Sequence, residues 1–197
     1  MTQPPHPPHG AGKSSFDLID PEKLFAALRL KPGATVLDLG CGEGRYSLPL
    51  AQRLGAGGQV YAVDLWQEGL ASLSDKAGEA GLANLKTLHA DASRPLPLAD
   101  RGVDLALLAT VLHDLAEAGQ AAGALAELAR LIKPGGRLAV VEFKKMAGPP
   151  GPPLHIRLSP EEVAALLRPY GFEAGETTAL GPHIYLIMFA KTAPSQG

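Results

Sequence analysis

A regular alternation of strand-like and helix-like segments constrains the fold of this chain more than any other feature. Five short apolar segments, at 34–39, 59–63, 85–89, 103–109 and 137–142, are mostly separated by segments whose apolar residues recur at helical spacing. Such alternation is typical of an α/β sheet of parallel strands with helices on both faces, because parallel neighbours need a crossover connection. Ligands of such sheets bind beyond the carboxyl ends of the strands, so we expect functional residues directly after the first four strands.

Further elements flank this alternating region. Asp20-Pro21 predicts the start of a helix, and Ser159-Pro160-Glu161-Glu162 is a capping box that predicts another. Two last strands are predicted near 173–178 and 183–191. They are expected to pair antiparallel, because the turn residues Gly181-Pro182 lie between them.

The region between the fourth strand and the last helix contains a helix and a long loop. One helix is predicted over 116–132, because Leu125 and Leu128 belong to an apolar stripe and Lys133-Pro134-Gly135-Gly136 would end it. Residues 144–158, after the fifth strand, are rich in proline and glycine and are predicted to form a loop.

The N-terminal residues differ in composition from the rest. Residues 1–15 are rich in proline and small polar residues and offer little to bury, so we predict a disordered tail. His6 and His9 lie in it, but no further metal ligands accompany them, and no metal site is predicted. The remaining residues, 16–197, have the length of a single domain.

Composition excludes several classes of protein. The chain has 18 basic and 20 acidic residues, and this balance gives nucleic-acid binding no support. Cys41 is the only cysteine, so an internal disulfide or a cysteine-based metal cluster cannot form. The longest apolar run, 105–112, is too short to cross a bilayer, and no secretory signal begins the sequence. We therefore expect a cytoplasmic protein.

A glycine-rich loop follows the first strand. Its sequence is Asp-Leu-Gly-Cys-Gly-Glu-Gly at 38–44, and alternate glycines let the backbone approach a ligand closely. A dinucleotide fingerprint would need a further glycine at position 45, which is Arg45, and the acidic Glu43 would repel a phosphate. A nicotinamide-dependent reductase, which would also need a Tyr-x-x-x-Lys pair that the chain lacks, is thus disfavoured. The loop alone is equally compatible with a structural turn.

Acidic residues end the next two strands. Asp64 lies about twenty residues beyond the glycine loop, where a carboxylate can accept hydrogen bonds from a ribose diol. Asp91 follows the third strand and could accept a hydrogen bond from the exocyclic amine of adenine. Together with the loop, these acids indicate an adenosine site at three successive strand ends.

The ordered blocks VLDLGCGEGRYSLPLA, AVDL, HADAS, VDLALLATVLHDL and LARLIKPGGRLAVVEF resemble class I S-adenosylmethionine-dependent methyltransferases. Within that class they are most similar to the type 11 group, which includes the ubiquinone/menaquinone-biosynthesis type. The resemblance extends over about residues 20–191. It implies S-adenosylmethionine as cofactor and a Rossmann-like doubly wound sheet of seven strands in the order 3-2-1-4-5-7-6, with the last strand antiparallel.

The resemblance also implies roles for individual residues. The glycine loop would hold the methionine part of the cofactor, the second strand end the ribose, and the third strand end the adenine edge. The stretch after strand four would pass near the sulfonium and the substrate. The cofactor-binding residues so implied are Asp38, Gly40, Cys41, Gly42, Gly44, Asp64, Leu65, Asp91, Ala92, Ala109 and Thr110.

Methyl transfer from a sulfonium is an in-line displacement that depends mainly on proximity and alignment. A base is needed only if the acceptor must lose a proton, and His113 is the candidate. Alternatively, this histidine packs against the cofactor or caps a helix. Glu142, Lys144, His155 and His183 are candidates for the acceptor pocket; alternatively, Glu142 and Lys144 could pair with each other and the two histidines could be surface residues.

The sequence therefore predicts an S-adenosylmethionine-dependent methyltransferase that acts on a small-molecule acceptor. A methylase of RNA or protein, and a non-catalytic protein that binds S-adenosylmethionine, remain as alternatives. Because loop 144–158 makes only a thin lid, either the acceptor is small, or a second subunit of a homodimer or the tail closes the pocket. Deletion of residues 1–15 is predicted to leave the fold and the cofactor affinity intact.

Overall fold

The computed structural model describes residues 10–192, in which seven strands form one sheet. The strands are β1 (Thr35–Leu39), β2 (Gln59–Asp64), β3 (Leu85–His89), β4 (Val103–Ala109), β5 (Ile132–Phe143), β6 (Phe172–Ala179) and β7 (Ile184–Lys191). The helices are α1 (Pro21–Leu28), α2 (Ser47–Leu54), α3 (Gln67–Glu79), α4 (Leu112–Glu117), α5 (Ala121–Leu131) and α6 (Pro160–Leu167).

The sheet has the order β3-β2-β1-β4-β5-β7-β6. The first five strands pair in parallel, and β7 pairs antiparallel with both β5 and β6. The predicted strand order and the antiparallel last strand are confirmed. The order of strands reverses between β1 and β4, which is where ligands of doubly wound sheets bind.

Both faces of the sheet are covered by helices. Along β4, Leu105 and Leu107 pack with α1 and α2 on one face, whereas Leu108 packs with α5 on the other. All three side chains are almost fully buried. The continuous apolar sequence of β4 follows from this double burial, because a central strand has no face toward water.

Local sequence signals begin two of the helices as predicted. The Asp20 carboxylate accepts hydrogen bonds from the backbone amides of Glu22 and Lys23 at the start of α1. At α6, Ser159 and Glu162 form the complete capping box. These contacts satisfy amides that the first helical turn leaves without partners.

The helix predicted over 116–132 is wrong in outline. The structure has two shorter helices, α4 and α5, and Gly119 lies between them with φ +70°. The C-terminal end of the predicted helix also differs, because Ile132 is the first residue of β5. The segment Lys133-Pro134-Gly135-Gly136, predicted to end the helix, belongs to this strand. A glycine with positive φ ends a helix, and this local signal outweighs the apolar periodicity that continues across it.

The N-terminal prediction needs a correction as well. Residues 1–9 lie outside the described residues, but Ser15 is buried, and its hydroxyl bonds the hydroxyls of Tyr46 (2.8 Å) and Thr110 (3.1 Å). The tail predicted to reach residue 15 thus joins the folded structure before that residue. Among residues 10–192, no helix combines the length and the apolar character that crossing a bilayer requires.

Candidate active site

The ends of the first four strands lie side by side because of the register of the sheet. Leu39, the last residue of β1, pairs with Val63 on one side and Leu108 on the other. Asp64 at the end of β2 pairs with His89 at the end of β3. The glycine loop and the segments after β2, β3 and β4 therefore meet at one edge, as the sequence predicts.

Two glycines of the loop show why side chains are excluded there. Gly40 has φ +77°, and a Cβ at this position would lie 2.5 Å from a methyl carbon of Val111. Gly42 has φ +53°, and a Cβ there would meet nothing within 4 Å. Gly40 thus serves close packing against the segment after β4, whereas Gly42 borders open space that a ligand can fill.

Asp64 connects the glycine loop to helix α3. One carboxylate oxygen accepts from the Gly42 amide at 2.7 Å, and the other accepts from the Trp66 amide at 2.8 Å. Each carboxylate oxygen can accept a second hydrogen bond. Asp64 can therefore bind a diol while it holds the loop in place.

The end of β3 supplies a second carboxylate. One oxygen of Asp91 accepts from the amide (2.8 Å) and the hydroxyl (2.7 Å) of Ser93. These bonds, led by that of the Ser93 hydroxyl, lower the pKa of Asp91, so the group is an anionic acceptor at neutral pH. Leu65 directly follows Asp64 and is one of few large apolar side chains that are exposed among the described residues. Its carbonyl is 3.0 Å from Nε2 of His89.

Asp38 and Cys41 are buried in the floor of the site. Burial raises the pKa of Asp38 to about 7, although the Ser47 hydroxyl donates to its carboxylate at 2.5 Å. Burial, with the charges of Asp38 and Asp64, also raises the pKa of the Cys41 thiol. Cys41 packs in a small apolar cluster that includes Leu70. A protonated, packed thiol supports its interpretation as an apolar filler.

The segment after β4 begins with an unusual backbone conformation. Thr110 has φ +56°, a left-handed conformation that is uncommon outside glycine and tends to occur at functional sites. Its amide donates to the Val141 carbonyl at 2.8 Å, and its hydroxyl bonds the Ala109 carbonyl at 2.8 Å. These contacts hold the chain in the turn that leads to His113.

His113 and Glu142 form a buried pair at the ends of β4 and β5. Nδ1 of His113 lies 2.7 Å from one Glu142 oxygen, and the His113 amide donates to the other at 3.1 Å. The side chains are 5% and 0% exposed. Because the Glu142 carboxylate can only accept, Nδ1 carries a proton, and Nε2 lies 3.4 Å from a carboxylate oxygen of Asp114.

Burial lowers the pKa of His113, but the hydrogen bond and charge of Glu142 outweigh this effect. The charges of Asp114 and Glu117 add to it, so the pKa of His113 is raised above its ordinary value. A carboxylate behind a histidine ring orients the imidazole and stabilises the protonated form. The arrangement suits a group that accepts a proton through Nε2.

The other residues predicted for the acceptor pocket, Lys144, His155 and His183, make no hydrogen bond with the pair of His113 and Glu142. Nζ of Lys144 donates to the Gly181 carbonyl at 2.8 Å, so the alternative in which Glu142 and Lys144 pair with each other is not what the structure shows. The reason is that His113 already occupies the Glu142 carboxylate. His155 is exposed on loop 144–158, and His183 is half-buried. Within the described part of the chain, neither of these imidazoles makes a hydrogen bond.

Sequence reasoning missed Ser15 and Tyr46. Ser15 links the Tyr46 hydroxyl, beside the glycine loop, to Thr110 after β4. Burial raises the pKa of Tyr46, so its hydroxyl keeps its proton. A small serine in a proline-rich segment carries no sequence signal for such a role.

Ser15→Ala is expected to lower the free energy of unfolding by about 1–2 kcal/mol, because the buried Tyr46 hydroxyl and the part-buried Thr110 hydroxyl lose a hydrogen-bond partner. Urea denaturation measures this change, and the exposed Ser14 provides a matched control, Ser14→Ala. Equal stability of the two variants would show that the contacts of Ser15 do not anchor the N-terminal segment.

The strand order, with the ends of the first four strands meeting at one edge, defines a Rossmann-like fold of the class I methyltransferases. A family model described as a methyltransferase domain matches residues 37–140, just over half of the chain. The chain therefore belongs to the type 11 family of S-adenosylmethionine-dependent methyltransferases.

Individual relatives agree with this assignment. The chain is 32% identical to a SAM-dependent methyltransferase from Aquifex aeolicus, with a TM-score of 0.81 over 90% of this chain and 93% of that one. A 1,6-didemethyltoxoflavin-N1-methyltransferase from Burkholderia thailandensis, solved with that compound and S-adenosylhomocysteine, is 26% identical, with a TM-score of 0.66 over 87% of this chain and 76% of that one.

A curated relative is the ubiquinone/menaquinone biosynthesis C-methyltransferase of Bordetella parapertussis. The two are 34% identical over 123 residues, which are 62% of this chain and 46% of the relative. The chain thus spans about half the length of the curated relatives it matches.

S-adenosylmethionine is the cofactor of this family, and the residues present fit it. The open space at Gly42, the free acceptor capacity of Asp64 and the ionised Asp91 match the requirements of an adenosine. Within residues 10–192, no cluster of three or more histidine, cysteine or acidic side chains could hold a metal ion. The cofactor contacts of individual residues stay predictions.

S-adenosylmethionine is expected to bind more tightly as the pH rises through about 7, the pKa of Asp38. The ligand carries positive charge, which favours an ionised carboxylate nearby, so binding below this pH must release a proton. Calorimetry in buffers of different ionisation enthalpy measures this release. Asp38→Asn should abolish the pH dependence, and a variant that retained it would place the titrating group elsewhere.

Proposed function

We propose that this chain transfers the methyl group of S-adenosylmethionine to a small-molecule acceptor that loses a proton during the reaction. The observation that carries this proposal is the buried pair of His113 and Glu142, which stands where the segment after β4 meets the end of β5. A positioned base is useful to an acceptor that must lose a proton, whereas an acceptor that needs no deprotonation does not require one.

In the proposed mechanism, residues at different strand ends bind the cofactor and accept the proton. S-adenosylmethionine supplies a methyl group that its positive sulfur already activates. Asp64 and Asp91 orient the nucleoside, and the glycine loop lets the backbone approach it. Nε2 of His113 takes the proton of the acceptor, and Glu142 stabilises the imidazolium that results. Alignment and exclusion of water contribute the rest of the rate enhancement.

Several observations support a small acceptor. The Burkholderia relative is named for N1-methylation of 1,6-didemethyltoxoflavin, and the Bordetella relative for C-methylation in ubiquinone/menaquinone biosynthesis. A net charge of −2 does not favour a nucleic acid. A cytoplasmic location and a homodimer, whose second subunit would help to close the site, belong to the same proposal.

The proposal is tested by incubating the protein with a metabolite extract and methyl-labelled S-adenosylmethionine, then identifying labelled products by mass spectrometry. We expect one or a few small labelled compounds and stoichiometric S-adenosylhomocysteine. A reaction without protein controls for spontaneous transfer. Binding of S-adenosylhomocysteine without any product would instead favour a non-catalytic binder, and label in RNA or protein would favour the macromolecular alternative.

A further inference from the structure

Loop 144–158, which follows β5, is built around one buried arginine. Arg157 is 3% exposed, and all of its guanidinium nitrogens donate to backbone carbonyls of this loop. The five acceptors are Pro152 (2.8 Å), Lys144 (3.3 Å), Met146 (2.7 Å), Gly148 (2.7 Å) and Pro150 (2.9 Å). One side chain thus organises a segment whose composition predicts an irregular loop.

This pattern of contacts is specific to an arginine. Its five N–H donors lie in a rigid plane and can bind several carbonyls at once, whereas a lysine has three donors on one nitrogen. Two lysines at the start of the loop make further contacts. Lys145 pairs with Glu162 on α6 at 2.5 Å, and Lys144 donates to the Gly181 carbonyl at 2.8 Å. The loop is therefore held at its centre and at its start.

The loop also packs against Phe143, a neighbour of the proposed catalytic pair. The guanidinium of Arg157 lies 5.8 Å from the centre of the Phe143 ring, and a Cβ at Gly151 would lie 2.5 Å from that ring. The same Phe143 ring packs edge-on against the His113 ring, with centres 6.3 Å apart. The position of the loop is thus coupled to that of His113 through one shared aromatic side chain.

Loop 144–158 presents apolar side chains to solvent. Met146 and Leu154 are 42% and 45% exposed, and besides Leu65 they are the exposed large apolar residues among those described. Exposed apolar side chains on a loop that packs next to a reaction centre are candidates for contact with an apolar ligand.

We propose that Arg157 is a positioning residue that sets acceptor specificity, because it holds loop 144–158 as a preformed apolar wall beside His113. The inference rests on the proposed methyl transfer. It implies an acceptor with an apolar ring or chain next to the group that is methylated. A preformed wall lowers the ordering cost of binding such an acceptor.

The test compares Arg157→Lys, which keeps the charge but loses the planar donor set, with Arg168→Lys at an exposed arginine. Three readouts are measured: calorimetric binding of S-adenosylhomocysteine, tryptic cleavage after Lys144 and Lys145, and kinetics with the labelled acceptor that the wild-type protein selects from the extract. Leu154→Ser, at an exposed position, tests the wall without disturbing the guanidinium.

For Arg157→Lys we expect faster cleavage in the loop, an acceptor KM raised about tenfold, a kcat changed far less, and unchanged S-adenosylhomocysteine binding. Leu154→Ser should raise the same KM, and Arg168→Lys should change nothing. An unchanged acceptor KM in both Arg157→Lys and Leu154→Ser would overturn the inference. If the wild-type protein labels no acceptor, it is the proposed function that fails, and S-adenosylhomocysteine binding still reports whether the protein is folded.

Discussion

Replacing His113 with asparagine is expected to slow methyl transfer by about 10²–10⁴-fold, the usual contribution of a general base. The asparagine amide can still donate to Glu142, but it has no equivalent of the Nε2 lone pair. Cofactor binding should therefore persist while turnover is lost. Single-turnover methylation of the labelled acceptor and calorimetry with S-adenosylhomocysteine measure the two effects separately.

The pH dependence provides the matching control. Only neutral His113 can accept a proton, so the rate should rise with pH through the raised pKa of this imidazole. Glu142→Gln removes the charge that raises this pKa but leaves the burial that lowers it, so the acidic limb should move to lower pH. The profile and the imidazole NMR titration should shift together. A full rate in His113→Asn would exclude the histidine as base.

Replacing Asp64 with alanine is expected to weaken binding of S-adenosylhomocysteine by about 1.5–3 kcal/mol, or about tenfold to more than a hundredfold. Two effects favour a loss at the upper end. If Asp64 holds the ribose as predicted, the ribose loses its acceptor. In the structure the amides of Gly42 and Trp66 lose theirs as well, so the glycine loop is no longer tied to α3. Isothermal titration calorimetry measures the change.

Two further variants separate these effects. Asp64→Asn keeps one carbonyl oxygen that can accept from one backbone amide. Its loss of S-adenosylhomocysteine affinity should therefore be smaller than that of Asp64→Ala. Asp75→Ala, at an exposed acid on α3, makes the same change of charge away from the site and should bind normally. If Asp64→Ala binds like Asp75→Ala, the ribose is held by another group.

The sequence predicted the fold well because its main signals are local. The alternation of strand and helix patterns and the helix N-caps at Asp20 and Ser159 depend on residues close in sequence. Both N-caps are present in the structure. The strand order came from the resemblance to a known family rather than from these local signals. The prediction of one long helix over 116–132 failed because apolar periodicity continues on both sides of Gly119, where the backbone turns.

For the candidate site, the sequence by itself determined which residues stand at the strand ends, since position along a strand is a local property. The partner of each polar side chain depends instead on which strands and loops become neighbours. Only the tertiary structure paired His113 with Glu142 rather than Glu142 with Lys144, and joined Ser15 to Thr110. It also placed Arg157 at the centre of its loop, because five carbonyls converge on one guanidinium only after the chain has folded around it.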